Sequence, residues 1–349
     1  MKTISLFNNK GGVGKTTTLV NMAGYLAKKY DKRVMVLDLD PQSNSTQAIL
    51  PESEWEHFYG KKADRKTIYD CFEKIQMGLG EFLEIELPVK ENENKYGVAL
   101  FPGHPKMSFI DDEMAKSWAL VLSGTPAGFI TQNWLNKFKK QFQDQFDYLL
   151  IDMGPALGAL NRSVLLNSDY FITPMASDIF SLIGISNIGN WIRSWKKSYE
   201  RGIENFKESS DTYNKIVKDY FINCDINNTT VFAGYSIQQY SKRKFASGER
   251  PTKAYESVIS QFHDEVINSL GDIARTEIKD CDLKIGDIPY VYSVIPLSQL
   301  SKTPIFDLKY SDGIRGNQTS SVNEYSEYMD RLVKGFLKNI GEKNEHMVK

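Results

Sequence analysis

The chain has 349 residues, 41% hydrophobic and 25% charged, which is enough for one large α/β domain or two small ones. A formal net charge of -1 excludes a uniformly basic nucleic-acid binder and leaves only a local basic patch to look for. Cys71, Cys224 and Cys281 stand far apart without a CxxC pair, a pattern that suggests neither a disulfide framework nor a thiolate metal site.

Residues 4–7 form a short apolar run. The N-terminus then turns polar at Asn8-Asn9-Lys10, too early for a secretory h-region, and no apolar stretch reaches the ~18 residues of a membrane span, so a cytoplasmic protein is expected. A glycine-rich turn follows, and then residues 15–30 place Leu19, Val20, Met22, Ala23, Leu26 and Ala27 at helical spacing. Residues 34–37 and 148–151 are further continuous apolar runs, ending in Asp38-Leu39-Asp40-Pro41 and in Asp152. Strands apolar on both faces belong in a mostly parallel, twisted sheet with helices on both faces, an α/β fold. Residues 170–173, 231–233 and 290–295 read as additional strands. We expect a single domain over residues 1–341, carrying insertions near 51–66, 199–218 and 241–283, and a polar tail at 342–349.

The turn reads Lys10-Gly11-Gly12-Val13-Gly14-Lys15-Thr16-Thr17 between a strand and a helix, which is the context a phosphate loop requires. Its glycines let successive N–H groups and the helix N-terminus point at a phosphate, where the helix dipole favours negative charge. On this reading Lys15 reaches the β- and γ-phosphates of ATP, and the Thr16 hydroxyl coordinates Mg²⁺. The run ending in Asp152 delivers one carboxylate from an apolar strand, the Walker B arrangement, to hold a magnesium-bound water. Asp38 and Asp40, two residues apart, point the same way from a strand and are either functional or simply solvated at its end. No His/Cys pair, Ser/His/Asp set or metal-ligand cluster competes for the chemistry, and His57, His104, His263 and His346 are scattered.

With the extra lysine at its start, the loop resembles the deviant Walker A of the ParA/MinD/Soj ATPases. The resemblance extends through Asp38-Leu39-Asp40-Pro41-Gln42, Asn161, Thr173-Pro174, Ser181 to Gly184, Val294-Ile295-Pro296 and Pro304-Ile305. It departs at Ser43, where glycine is usual, and at Gly154, where the first of two prolines is usual. The resemblance implies that Lys10 crosses a homodimer interface to the partner's nucleotide and neutralises charge building in the transition state. It also implies that Asp40 orients or activates the attacking water, that Asp38 supports the loop and metal shell, and that Pro296 lies against the adenine.

ParA-like members bind duplex DNA nonspecifically, and two basic clusters stand out: Arg193, Lys196 and Lys197 with Arg201, interleaved with Trp191 and Trp195, and Lys242, Arg243 and Lys244 with Arg250 and Lys253. Each is alternatively an ordinary solvated face. MinD-like members cycle on membranes through a C-terminal amphipathic helix, and Tyr325, Tyr328, Met329, Leu332, Val333, Phe336, Leu337 and Ile340 make a helical stripe. We expect that stripe to pack on the protein's own core and the membrane not to be a partner. A third reading, a nucleotide-gated scaffold, keeps the loop and gives Asp40 no catalytic role. An activating partner protein is expected in either switch reading; the sequence does not name the cargo.

Overall fold

The computed structural model describes residues 1–238, 243–245, 248–250, 253–289, 291 and 293–342. Seven parallel strands form one sheet in the order β3-β2-β4-β1-β5-β6-β9. They are β1 (Lys2–Leu6), β2 (Val34–Asp38), β3 (Ala99–Phe101), β4 (Tyr148–Asp152), β5 (Tyr170–Met175), β6 (Val231–Gln238) and β9 (Lys284–Ile288). A separate antiparallel pair joins β7 (Arg243–Phe245) and β8 (Gly248–Arg250).

The apolar runs are two-sided, and the two sides feed different cores. Met35, Leu37, Leu149 and Ile151 face the helices Met107–Leu122, Trp134–Phe142, Ala159–Asn167 and Ile179–Ser209. Val34, Val36, Tyr148 and Leu150 face the helices Lys15–Tyr30 and Gln318–Asn339. That alternation is the period of two along a strand, and it is why these segments carry no polar residue until their carboxyl ends. The sheet is wound outward from β1 to both sides, so the loop after β1 opens where strand order reverses, the position at which open α/β sheets bind ligands.

Three expectations change in detail. The strand expected at 290–295 lies earlier, at Lys284–Ile288, and Ile295 instead begins the helix Ile295–Ser301. Pro296 presets a helical first turn. The true strand hides behind Lys284, Gly286 and Asp287; the glycine is needed because a Cβ there would stand 2.9 Å from the Tyr328 ring. The polar stretch from 199 continues the helix Ile179–Ser209, with Tyr199 and Phe206 buried on its inner side. The segment near 51–66 includes the helix Glu52–Tyr59, in which only Phe58 is fully buried.

The C-terminal stripe is core. Tyr325, Tyr328, Met329, Leu332, Val333, Phe336, Leu337 and Ile340 are all buried, against β9 and the helix Lys15–Tyr30 among others. Among the described residues no helix is long and apolar enough to cross a membrane.

Candidate nucleotide site

The chain leaves β1 at Leu6 and enters the helix at Lys15 through a loop that only glycine accommodates at two points. Gly12 and Gly14 have φ of 74° and 79°, in the left-handed region. A Cβ on Gly11 or Gly12 would meet nothing within 4 Å, so the backbone here borders open space rather than protein. The helix begins without a side-chain cap and without an acidic residue in its first turn. Its first N–H groups and positive dipole end are therefore left for a ligand.

The two loop lysines are held differently. Lys15 is 7% exposed and its Nζ donates to the Lys10 carbonyl at 2.8 Å. Burial pushes its ammonium below the usual lysine range, against the opposing pull of Asp152 and Asp40. Lys10 instead pairs with Asp178, each side chain about one-third exposed. Asp178 also caps the helix Ile179–Ser209, accepting from the Ser181 N–H at 3.0 Å. Nothing in the sequence linked Lys10 to a residue 168 positions away; the only visible signal at Asp178 is that of a helix cap.

The carboxylates converge from neighbouring strands. Asp38 and Asp152 stand opposite each other in the β2–β4 register, and both are completely buried. Asp38 Oδ2 accepts from the Thr46 N–H and hydroxyl at 2.8 and 2.7 Å, and its Oδ1 accepts from the Asp40 N–H at 3.3 Å. It is a brace for the helix Asn44–Ile49, with both oxygens already occupied. Asp152 Oδ2 accepts from Ser45 Oγ at 2.7 Å, while Oδ1 is buried with no partner. Burial pushes the Asp152 carboxyl up to about 6, and burial together with the neighbouring Asp152 pushes Asp38 well above the usual carboxylate range. Asp40 is 8% exposed, and its Oδ1 accepts from the Gln42 N–H at 2.9 Å.

The orphaned Oδ1 of Asp152 and the adjacent Thr16 hydroxyl fit a hard cation that keeps most of its ligands as water and phosphate. The described residues contain no group of three or more His, Cys, Asp or Glu placed to hold a metal. Ser43 has φ of 51°, which explains why a glycine would be at ease there. A Cβ added to Gly154 would lie 3.5 Å from Asp40 Oδ1, ordinary contact, so this glycine leaves a gap beside Asp40 rather than avoiding a clash.

Gly11, Gly12, Gly14, Lys15, Thr16 and Thr17 line one wall of a cavity of about 810 Å³ that also reaches Asp40 and Pro296. Its volume lies within the range typical of small-molecule sites. A family model described as an AAA domain matches residues 1–205. The chain belongs to this family, as a ParA/MinD-like P-loop ATPase. The chromosome-partitioning ATPase Soj of Thermus thermophilus is 30% identical over 190 residues, covering 54% of this chain and 60% of that protein. The curated relatives first in similarity are matched over 60 to 68% of their own length. A crystal structure of a Corynebacterium diphtheriae protein superposes with a TM-score of 0.72 at 25% identity, covering 98% of this chain and 99% of that one. The ATP complex of a McdA variant from Cyanothece gives a TM-score of 0.58 at 15% identity over 100% of this chain and 99% of that one, a likeness of fold.

In this ParA-like chain the first basic cluster is largely committed to the fold. Arg193 is paired with Asp272 at 2.8 Å and donates to the Ser269 carbonyl at 2.7 Å. Lys196 donates to the Thr229 carbonyl at 2.8 Å, and burial lowers its pKa. Lys197 is exposed, Trp195 is buried and Trp191 is 40% exposed. Of the second cluster, Lys242 and the side chains of Arg243 and Lys244 lie outside the described residues.

The buried carboxylates carry a stability cost that a ligand would relieve. A folded pKa raised to about 6 means that ionised Asp152 destabilises the ligand-free protein, an effect absent below the unfolded value near 3.8 and fully present above 6. Asp152→Asn is therefore expected to raise the ligand-free melting temperature at neutral pH, by a stabilisation of about 1–2 kcal/mol, with the gain vanishing near pH 4. Thermal denaturation across that pH range measures it; an unchanged melting temperature at pH 7.5 would contradict it.

Proposed function

We propose that this chain binds Mg-ATP in the cavity, associates with a second copy as a nucleotide-sandwich dimer, and hydrolyses ATP as a switch that positions a DNA or protein cargo. The observation that supports it most is the division of labour between the lysines: Lys15 is buried at the helix N-terminus, while Lys10 is left about one-third exposed and is paired with an equally exposed Asp178. A lysine serving its own subunit's phosphates would be expected inside with Lys15. One facing outward suits a partner's nucleotide.

In this reading the N–H groups of residues 11–17 and the Lys15 ammonium bind the phosphates, and Thr16 and Asp152 hold Mg²⁺ with Asp38 bracing the helix behind them. A Mg²⁺ ion held by Thr16 and Asp152 would supply positive charge against the charge that develops on the phosphates. Asp40 orients the water that attacks the γ-phosphorus as the bond to the β-phosphate oxygen breaks, giving ADP and phosphate. Lys10 of each subunit stabilises charge at the other's nucleotide. Pro296 lines the base end.

The cargo assignment rests on relatives named for chromosome partitioning. With Arg193 and Lys196 engaged internally, DNA contacts fall to Lys197 and Arg201 and to the basic residues 242–253, and an activating partner protein remains part of the proposal. The membrane-cycling alternative loses its support, because the stripe it needs is buried. Phosphate release measured against protein concentration tests the switch. Turnover per chain should rise with concentration, and Lys10→Ala should keep ATP binding while losing turnover by at least about 100-fold. Concentration-independent turnover, or equal loss of binding in Lys10→Ala and Lys15→Ala, would deny Lys10 its cross-subunit role.

A further inference from the structure

The cavity does not end at the phosphate loop. Its far wall includes Trp55, from the helix Glu52–Tyr59, a segment that carries none of the sequence motifs quoted above. Trp55 is half-buried, packed on the core at one side and bordering the cavity at another. Its indole N–H has no hydrogen-bond partner among the described residues. Buried tryptophans usually pair that group, and pairing anchors the ring; this ring is not anchored by its polar edge.

Two neighbours complete the wall. Lys302, in left-handed conformation at the end of the helix Ile295–Ser301, donates to the Gln47 carbonyl at 2.7 Å and places its ammonium 5.8 Å from the centre of the Trp55 ring. That distance is at the outer limit of a cation–π contact, so a planar group can displace it from the ring with little loss. Leu300 borders the same cavity and is 83% exposed, a large apolar side chain without protein cover. It stands one turn after Pro296, so the two apolar residues share a helix face turned to the cavity.

We infer that Trp55 is a nucleobase-contacting residue, which receives the purine of the bound nucleotide on its indole face with Leu300 as the apolar edge of the same subsite. The inference rests on the nucleotide reading given above. A phosphate loop holds any triphosphate, so this wall is where the chain distinguishes a nucleotide from inorganic polyphosphate and a purine from a pyrimidine. Stacking on an aromatic ring tolerates sequence and base identity but scales with the area of the base, which favours ATP over CTP.

Calorimetric titration of ATP, CTP and inorganic tripolyphosphate into the wild type, Trp55→Phe, Trp55→Ala and Lys15→Ala tests this. Trp55→Ala should weaken ATP roughly ten-fold, within the range of base–aromatic stacking, and leave tripolyphosphate unchanged. Trp55→Phe should recover most of the loss, and the preference for ATP over CTP should shrink in Trp55→Ala. Unchanged ATP affinity in Trp55→Ala would overturn the inference, and so would an equal loss for ATP and tripolyphosphate, which is the mark of a structural defect. If Trp55→Ala does not fold, Trp55→Leu, which keeps apolar bulk without an aromatic face, decides by whether the ATP-to-CTP ratio falls. A wild type that binds ATP no better than Lys15→Ala would instead remove the underlying nucleotide site.

Discussion

Lys15→Ala is expected to abolish ATP binding while leaving the fold intact, with affinity falling by roughly 10³-fold. The side chain is a cation at a helix N-terminus, 7% exposed, in a loop where no other side-chain cation is buried. Charge-assisted hydrogen bonds contribute about 1.5–3 kcal/mol each, and a lysine reaching two phosphates makes two of them. The ligand-free protein loses little, because there Lys15 donates a hydrogen bond to the Lys10 carbonyl and its burial already disfavours the charge. Titration with a fluorescent ATP analogue, alongside thermal denaturation, measures both. Affinity within ten-fold of wild type at an unchanged melting temperature would show that the glycine loop and helix dipole suffice without the lysine.

Asp40→Ala should separate binding from chemistry, retaining ATP and lowering turnover by about 10² to 10⁴-fold, the usual contribution of a positioned general base. The structure allows this separation because Asp40 supports little else: its Oδ1 accepts one backbone N–H, from Gln42, whereas Asp38 and Asp152 are tied into the helix Asn44–Ile49. Single-turnover hydrolysis with ATP pre-bound isolates the chemical step. Undiminished hydrolysis would move the water-orienting role to another residue.

The glycine loop at one end of the cavity was legible because its signal is local. Eight consecutive residues set the loop's backbone, its ammonium and its hydroxyl, and strands β2 and β4 announce themselves by apolar runs that stop at Asp38 and Asp152. Strand β9 was not legible, since its close packing on Tyr328 requires Gly286, the sheet's edge tolerates Asp287, and the apolar signal lies instead in the neighbouring Val294 and Ile295. Contacts distant in sequence were equally hidden. Arg193 and Lys196 read as free cations until Asp272 and the Thr229 carbonyl fold against them. A stripe such as Tyr328, Leu332 and Phe336 looks alike whether it meets lipid or a sheet, and only the two-sided β strands, which demand cover on both faces, favour the sheet. Trp55 carried no motif and is placed at the cavity by the helix that bears it.

The central claim is that ATP joins two copies of this chain through Lys10. Multi-angle light scattering of Asp40→Ala, in saturating Mg-ATP and in Mg-ADP, tests it most directly, because the variant holds ATP without consuming it. The account predicts a particle of twice the 39.8 kDa chain mass in ATP, a single chain in ADP, and a single chain in ATP once Lys10→Ala is added. A protein that stays at one chain mass in saturating Mg-ATP would contradict it.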